Sequence, residues 1–307
     1  MSIDLTAPIF HDEEAARLYF EAQRWPSGPL CPHCGEAEDI CRMEGESHQV
    51  GMCYCRSCTK KFTVTVGTVM ERSHIALAKW ALGFRLMAGS KKGVSAHQLH
   101  RSLGITYKSA WFMAHRIREA MAPARPSPIG GENKVVETDE TYIGGKARNR
   151  KSKIPEKRAV VSLVERGGEI RSYHVANVNA ETLRPIMVKI ASRQSYLMTD
   201  ESAVYPKIGE EFAGHGSVNH SAEEYVRAFF WHTNTAENAF SILKRGIYGV
   251  YHHVSEAHLH RYLAEFDFRR NHRAGFGFDD TVRTAAAVKG ADGKRLFYRG
   301  PRSAAHA

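Results

Sequence analysis

Four cysteines at a regular spacing give the strongest chemical signal in the chain. The run Cys31-Pro-His-Cys34 is followed, after twenty residues, by Cys55-Arg-Ser-Cys58. Two Cys-x-x-Cys turns direct paired thiolates at one point, which is the ligand set of a tetrahedral structural Zn²⁺. All six cysteines fall between Cys31 and Cys58, a distribution that disfavours a disulfide framework. The spacing predicts one zinc ion held by Cys31, Cys34, Cys55 and Cys58.

The other two cysteines, Cys41 and Cys53, have no assigned role. Cys53 lies two residues before Cys55 and shares its strand face, so it is an alternative ligand, although the Cys-x-x-Cys spacing favours Cys55. Redox-active thiols are the other interpretation of the two pairs.

Three acidic residues stand where carboxylates could hold divalent cations. Asp139 lies in the strand-like segment VVETDET, Asp200 ends the apolar run SYLMTD, and Glu237 opens a helical segment. Carboxylates at two neighbouring strand ends and on a helix over the sheet could bind two Mg²⁺ ions about 3.5–4 Å apart, a pair suited to phosphodiester chemistry. Glu140 adjoins Asp139, but adjacent strand residues face opposite ways, so we expect it outside this site.

The helix that carries Glu237 also carries a lysine two turns later. Lys244 follows by seven residues, or about 700° of helical rotation, so the two side chains lie nearly on one face, together with Asn234. Such a polar stripe could line a site. The structural alternative is that the two aspartates cap turns or helices and that Glu237 and Lys244 are solvated surface.

The elements that must position these residues fall into three regions. Short alternating runs surround the cysteines, helical periodicity follows, and the segment APARPSPIGGEN, rich in proline and glycine, separates both from a larger domain. The predicted boundaries are residues 1–70 for a lead-in helix and zinc ribbon, 71–122 for a helical module, 123–133 for a linker, 134–290 for an α/β domain, and 291–307 for a flexible tail.

The larger domain has alternating strand and helix signals. The segments KVVETDETYIGG, KRAVVSLVERGGEIRSYHVANV, NAETLRPIMVKIASR and SYLMTD predict three strands, a helix and a fourth strand. Two further helices are predicted, one around Glu237 and one over residues 256–272. Asp139 and Asp200 therefore belong to strands, and Glu237 to a helix.

The helical module contains a candidate DNA-binding motif. Two helical segments join at Leu103-Gly104-Ile105-Thr106, the short glycine-containing turn of a helix-turn-helix. The second helix would present a polar and basic set of residues, which are Tyr107, Lys108, His115, Arg116 and Arg118. The alternative is a helical hairpin with a solvated basic face.

Composition indicates a folded protein with a polyanionic partner. The chain of 307 residues has 43% hydrophobic residues, which excludes wholesale disorder, and a formal net charge of +10, which points to a polyanion such as nucleic acid, although many basic proteins bind none. Its longest apolar stretch, residues 75–87, is too short to span a bilayer, and the acidic N-terminus lacks a secretory signal, so we expect a cytoplasmic protein. Further basic residues could contact phosphates: Lys146, Arg148, Arg150, Lys151, Arg269, Arg270 and Arg273.

Taken jointly, these motifs resemble the bacterial insertion-sequence transposases that have an N-terminal zinc ribbon and a DDE catalytic domain of the retroviral-integrase-like, ribonuclease H-like type. The resemblance runs over nearly the whole chain. It is carried by CPHC, CRSCTKKFTVTVGTVMERS, ETDETYIGGK, TDES, HTNTAENAFSILKRGIYGVYHHVS and FDFRRN.

The resemblance implies a fold and a set of catalytic residues. The fold would be multidomain: a small zinc ribbon, a helix-turn-helix module and an α/β ribonuclease H-like catalytic domain with a mixed sheet. Asp139, Asp200 and Glu237 would bind two catalytic Mg²⁺ or Mn²⁺ ions, and Lys244 would be the downstream basic residue of the motif. Because some relatives use asparagine as the third residue, Asn234 is the alternative to Glu237.

The resemblance also implies an activity and partners. The protein would bind the terminal inverted repeats of its own element, cleave DNA there and transfer the strand to target DNA, as a dimer or larger assembly close to the nucleoid. Two alternatives stay open. One is a nuclease of the same fold that acts on other nucleic acids, and the other is a non-catalytic, zinc-dependent DNA-binding regulator.

Overall fold

The computed structural model describes residues 4–124, 127–144, 157–218 and 232–297, which form two compact units. The first takes in the described residues of Met1–Ser90, Val94–Ala122 and Arg273–Ala307. The second takes in Lys91–Gly93 and the described residues of Pro123–His272. The ribbon and the helical module, predicted as separate domains, thus belong to one unit.

The first unit begins with a helix and a small sheet. Helix α1 (Glu13–Arg24) starts at Asp12, whose carboxylate accepts a hydrogen bond from the Ala15 backbone N–H at 2.7 Å. A three-stranded antiparallel sheet of order β1-β2-β3 follows, with β1 at Ile40–Arg42, β2 at Cys53–Cys55 and β3 at Lys60–Phe62. The sequence predicted this lead-in helix and β-ribbon.

Three helices complete the N-terminal part of this unit: α2 (Leu77–Gly89), α3 (Ala96–Leu103) and α4 (Tyr107–Met121). Gly104 ends α3 in the left-handed conformation, with φ of 58°, which a glycine adopts without steric cost. Thr106 then caps α4, since its hydroxyl accepts from the Ser109 backbone N–H at 3.2 Å. The two helices and their short turn lie where the sequence places them.

The ribbon and the helices share one unit because neither can bury a core alone. The Glu13 carboxylate of α1 accepts hydrogen bonds from the backbone N–H groups of Leu77 at 2.7 Å and Ala78 at 3.1 Å, and so caps α2. Phe20 of α1 packs edge-to-face on Phe84 of α2, with 6.3 Å between ring centroids. These contacts explain why the predicted boundary at residue 70 does not separate two domains.

The C-terminal segment corrects the predicted boundary at residue 290. Helix α9 (Asp280–Lys289) packs against α1, α2 and α4, inside the first unit rather than the α/β domain. The start of the predicted flexible tail is anchored too: the Lys294 ammonium donates to the carbonyls of Glu119 and Ala120, each at 3.1 Å, where α4 ends. Sequence periodicity identifies such a helix but does not say which core it covers. Residues 298–307 lie outside the described residues.

The second unit is built on a mixed five-stranded sheet of order β6-β5-β4-β7-β8. Strands β4, β5 and β6 form an antiparallel meander, whereas β7 runs parallel to β4 and β8 runs parallel to β7. The strand bounds are β4 Val135–Ile143, β5 Arg158–Glu165, β6 Ile170–Val175, β7 Tyr196–Thr199 and β8 Gly214–Ser217. The predicted order of three strands, a helix and a strand is therefore present, and β8 is an additional strand.

Helices cover both faces of this sheet. Helices α5 (Ala180–Ile190) and α6 (Pro206–Gly209) pack on one face, and α7 (Asn234–Gly246) and α8 (Glu256–Asn271) pack on the other. The interior strand β5 is buried on both sides, because Val161 and Leu163 join the core under α5 while Val160 joins the core under α7 and α8.

The alternation of side chains sets the faces of β4. Val136 packs in the core under α5, so Glu137 and Asp139 point towards the layer of α7 and α8. Strand β7 pairs with β4 only as far as the Glu137–Met198 register pair. Beyond Glu137, the edge of β4 on this side has no strand partner among the described residues.

The second half of the predicted linker is part of this unit. The Ile129 backbone N–H donates to the Ile190 carbonyl at 2.7 Å, and the Ile129 side chain is buried in the core under α5.

Among the described segments, no helix is both long and apolar enough to span a membrane.

Candidate metal centres

The four predicted zinc ligands meet at one point in the first unit. One sulfur from each of Cys31, Cys34, Cys55 and Cys58 lies within 4.8 Å of the other three, and the pairs Cys31–Cys58 and Cys34–Cys55 have Sγ–Sγ distances of 3.6 Å. Tetrahedral Zn²⁺ with bonds of about 2.3 Å requires sulfurs about 3.8 Å apart, whereas a disulfide requires about 2 Å. The arrangement fits an ion at the centre and does not fit a disulfide.

The turn between the first two cysteines is shaped to hold a thiolate. Burial opposes ionisation of Cys31, but the backbone N–H groups of His33 and Cys34 donate to its sulfur, and the net effect lowers the pKa of this thiol to about 7. Cys41 and Cys53 do not join the four sulfurs. Cys53 is fully buried, which raises the pKa of its thiol.

Two of the three predicted catalytic acids come together in the second unit. Asp139 lies on β4, and Asp200 directly follows the end of β7, the neighbouring parallel strand. One carboxylate oxygen from each lies within 4.8 Å of the other and of an oxygen of Glu140. The structure thus forms a half-buried cluster of three carboxylates at the edge of β4 beyond Glu137, where no described strand pairs with it.

The presence of Glu140 in this cluster shows that the sequence prediction for this residue was wrong. Its side chain starts on the face opposite to Asp139, where its carboxylate accepts a hydrogen bond from the hydroxyl of the buried Tyr205. The Asp139 carboxylate in turn accepts from the Glu140 backbone N–H at 2.8 Å. Because no described strand pairs with this edge of β4, side chains from both faces can approach each other across it.

The cluster is electrostatically unfavourable without a cation. Burial raises the pKa of Asp139 to about 7, and the charges of Asp200, Glu140 and Glu237 add to the increase, while the Glu140 N–H opposes it. Burial also raises the pKa of Glu140, although the Tyr205 hydroxyl stabilises its charged form. A divalent cation with oxygen ligands would relieve this repulsion, so the residues present suit Mg²⁺ or Mn²⁺.

The third predicted acid approaches the cluster without belonging to it. Glu237 is an exposed residue in the first turn of α7, and its carboxylate is not among the three that meet, but its charge contributes to the raised pKa of Asp139. Asn234, the alternative, is also exposed and is the first residue of α7, and Lys244 is half-buried near the end of the same helix.

One buried acid was not predicted from the sequence. Glu137 lies two residues before Asp139 on the same face of β4 and is fully buried. Its carboxylate accepts hydrogen bonds from the backbone N–H groups of Thr235 at 2.8 Å and Ala236 at 3.1 Å, which open α7. A charged residue within the predicted strand VVETDET, on the face of Asp139, was the available signal.

Several predicted DNA contacts are corrected by burial. Arg118 is 2% exposed, and Arg116 donates to the Glu71 carbonyl at 3.1 Å with its guanidinium over the Phe112 ring, because α4 packs against α2, α3 and α9. Arg269 is buried in an ion pair with Glu265. His115 is likewise buried.

The remaining predicted contacts divide between exposed positions and positions outside the described residues. Tyr107, Lys108 and Arg273 are exposed, and Arg270 is half-buried. The four basic residues Lys146, Arg148, Arg150 and Lys151 lie outside the described residues.

A four-cysteine ribbon, followed by a mixed sheet with clustered carboxylates beside a helix that carries a further acid, is the arrangement of a zinc-ribbon DDE transposase. Comparison with known proteins agrees. A family model described as "ISXO2-like transposase domain" matches residues 130–271, and one described as "Transposase zinc-ribbon domain" matches residues 11–61. The chain is also 30% identical to "Uncharacterized protein in transposable element ISH50" of Halobacterium salinarum in an alignment of length 282, which covers 85% of this chain and 92% of the relative. The chain belongs to the ISXO2-like transposase family.

Proposed function

We infer that this chain binds the terminal inverted repeats of its own element and catalyses metal-dependent cleavage and transfer of DNA strands. The observation that carries this proposal is the carboxylate cluster of Asp139, Glu140 and Asp200 at the edge of β4 beyond its pairing with β7. Half-buried carboxylates so close together repel one another, and a bound divalent cation would offset that repulsion.

Asp139 and Asp200 are the proposed ligands of two Mg²⁺ or Mn²⁺ ions, with Glu140 as a further carboxylate of the same cluster. When bound, such a pair supplies activation of the attacking oxygen and stabilisation of the leaving oxygen at a phosphodiester. The role of the protein is to hold both acids on adjacent strands, Asp139 within β4 and Asp200 at the end of β7, so that the cluster exists before DNA arrives.

Glu237 is the proposed third ligand, and Asn234 is the alternative. A carboxylate supplies charge that an amide does not, and the charge of Glu237 already acts on Asp139. Lys244, two turns further along α7, is assigned to a DNA phosphate beside the site.

The four-cysteine site is proposed to hold one structural zinc ion. The strands β1, β2 and β3 have three residues each, too few to bury a core of their own, so an ion that ties Cys31 and Cys34 to Cys55 and Cys58 would stabilise the ribbon.

Helices α3 and α4 are proposed to act as a helix-turn-helix on the element end. The turn exposes Tyr107 and Lys108 at the start of the second helix, and the Tyr107 ring stacks on His97, with 4.3 Å between ring centroids. In helix-turn-helix proteins, the amino-terminal end of the second helix contacts the base edges in the major groove. Because two element ends must be joined, we further propose that the protein acts as a dimer or larger assembly, in the cytoplasm and on nucleoid DNA.

Asp139→Asn and Asp200→Asn test the proposal. Each is expected to abolish Mg²⁺-dependent cleavage of an element end while gel shifts show unchanged binding, because the DNA-binding helices belong to the other unit. Cleavage at the wild-type rate by either variant would remove that residue from the site. Cleavage without strand transfer would favour a nuclease of the same fold, and binding without metal-dependent cleavage by the wild type would favour a regulator.

A further inference from the structure

Glu137 is a buried carboxylate to which the proposed function gives no role. It lies in the middle of the second unit, 0% exposed, on the face of β4 that also carries Asp139. An acid in such a place is stable only if hydrogen bonds and an opposite charge replace its lost water. The residues that supply them indicate what Glu137 does.

Most of its partners belong to the start of α7. The backbone N–H of Thr235 donates to Oε2 at 2.8 Å and that of Ala236 donates to the same oxygen at 3.1 Å, while the Thr235 hydroxyl donates to Oε1 at 2.8 Å. Backbone N–H groups in the first turn of a helix have no acceptor within the helix. The side chain of Thr233, in the N-cap position, does not cap the helix. Among the described residues, the cap comes instead from a strand about a hundred residues away.

The same carboxylate also forms an ion pair with Arg166, whose positive charge balances its own. Arg166 Nε lies 2.6 Å from Glu137 Oε1, and another nitrogen of this guanidinium donates to the His232 carbonyl at 2.8 Å, just ahead of α7. His232 Nδ1 lies 3.3 Å from the same carboxylate oxygen. The connection therefore combines charge-assisted hydrogen bonds with a negative charge at the positive end of the helix dipole, both of which favour one fixed position of the helix.

The position of this connection matters because of what each end carries. Two residues after Glu137 on the strand is Asp139, and one residue after Ala236 on the helix is Glu237. Glu137 thus links the strand and the helix that present these two acids directly.

We propose that Glu137 is a positioning residue for the metal site. By capping α7 from β4, it fixes the third carboxylate, Glu237, relative to Asp139. The inference rests on the proposed function, in which Glu237 is a metal ligand, and it extends that function by assigning what holds the ligand in place.

The test measures Mn²⁺ binding to the zinc-loaded, full-length protein without DNA, from the electron paramagnetic resonance signal of free Mn²⁺. Glu137→Gln keeps the size of the side chain but loses its charge, and is expected to weaken Mn²⁺ binding by about tenfold, the usual effect of removing a group that orients a ligand. Thr235→Val removes one donor at constant shape and is expected to cause a smaller loss. It also carries the test if Glu137→Gln fails to fold.

A double-mutant cycle separates positioning from general damage. If Glu137 acts through Glu237, then Glu137→Gln or Thr235→Val should cause no further loss of Mn²⁺ binding in a protein that already carries Glu237→Gln. The matched control is Asp267→Asn, which removes another helix-to-strand anchor, since the Asp267 carboxylate on α8 accepts from the Ser172 N–H and hydroxyl on β6, both at 2.7 Å. This control should leave Mn²⁺ binding unchanged, whatever its effect on thermal stability.

Each outcome decides a different claim. An equal loss with and without Glu237→Gln, or wild-type Mn²⁺ binding in both Glu137→Gln and Thr235→Val, would overturn the positioning role. Wild-type Mn²⁺ binding in Asp139→Asn would instead overturn the proposed metal site itself, whatever Glu137 does.

Discussion

Asp139→Asn is expected to stabilise the second unit in the absence of divalent cations, and to do so more as the pH rises. The pKa of Asp139 rises from an ordinary 3.8 to about 7 because burial and the charges of Asp200, Glu140 and Glu237 disfavour ionisation. An acid with a raised pKa binds its proton more tightly in the folded state. Its stabilising contribution is therefore complete below about pH 4 and is lost as the pH rises to about 7.

The size of the effect follows from the same two pKa values. A rise from 3.8 to about 7 corresponds to about 4 kcal/mol of folding free energy at most, of which about 2–3 kcal/mol is lost between pH 5 and pH 8. Asparagine does not ionise, so the advantage of Asp139→Asn in free energy of unfolding should grow by about 2–3 kcal/mol over that interval. Saturating Mg²⁺ should reverse the advantage at pH 8, because only the aspartate gains a cation.

Amide hydrogen exchange of peptides from β5 is the suitable assay because it reports on the sheet itself, whereas three of the four tryptophans, Trp25, Trp80 and Trp111, belong to the first unit. The buffer contains one equivalent of zinc and no other divalent cation. The control is Glu132→Gln, at an exposed position three residues before β4 begins, and it should show no such pH dependence. An advantage of Asp139→Asn that is equal at pH 5 and pH 8 would refute the electrostatic reasoning.

Three further predictions concern the zinc ligands, the third acid and the DNA surface. Cys55→Ser is expected to lose zinc in metal analysis while Cys53→Ser keeps one equivalent, because the Cys53 sulfur lies outside the cluster of four, and zinc retained by Cys55→Ser would contradict the assignment. Glu237→Gln is expected to abolish Mg²⁺-dependent cleavage with partial recovery in Mn²⁺, whereas Asn234→Ala should only weaken it, and the reverse result would transfer the role to Asn234. Lys108→Ala is expected to weaken binding to the element end and to reduce the slope of log Kd against log salt by about one, and an unchanged slope would remove Lys108 from the phosphate contacts.

The strands of the second unit could be predicted where the sequence shows a continuous or alternating apolar pattern. Between its two ends, strand β5 is apolar except at Ser162, and the structure buries it on both faces. Strand β8 has the sequence GHGS, which has neither β-branched residues nor alternation, so nothing in it indicates a strand. Its place in the sheet comes from pairing with β7, a long-range contact that no local pattern encodes.

The metal site was predictable as a set of residue types, but its membership depended on where strands end. The rule that neighbouring strand residues face opposite ways correctly puts Glu140 on the side of Tyr205, yet the two carboxylates still meet because β7 stops pairing with β4 at Glu137. The end of a pairing is a tertiary feature. For the same reason the cap that Glu137 provides to α7 was invisible in the sequence, since its partners lie about a hundred residues away.

The basic residues of α4 show why charge on a helix is weak evidence for a DNA surface until its neighbours are known. Lys108 and Arg118 are ten residues apart on one helix and equal in formal charge. Because α2, α3 and α9 pack against α4, Arg118 is buried, whereas Lys108 is exposed. Neither periodicity nor composition distinguishes them, because α2 and α9 come from segments whose packing against α4 the sequence does not specify. What remains exposed is the amino-terminal turn of α4, and that is the part of the second helix that helix-turn-helix proteins direct at base edges.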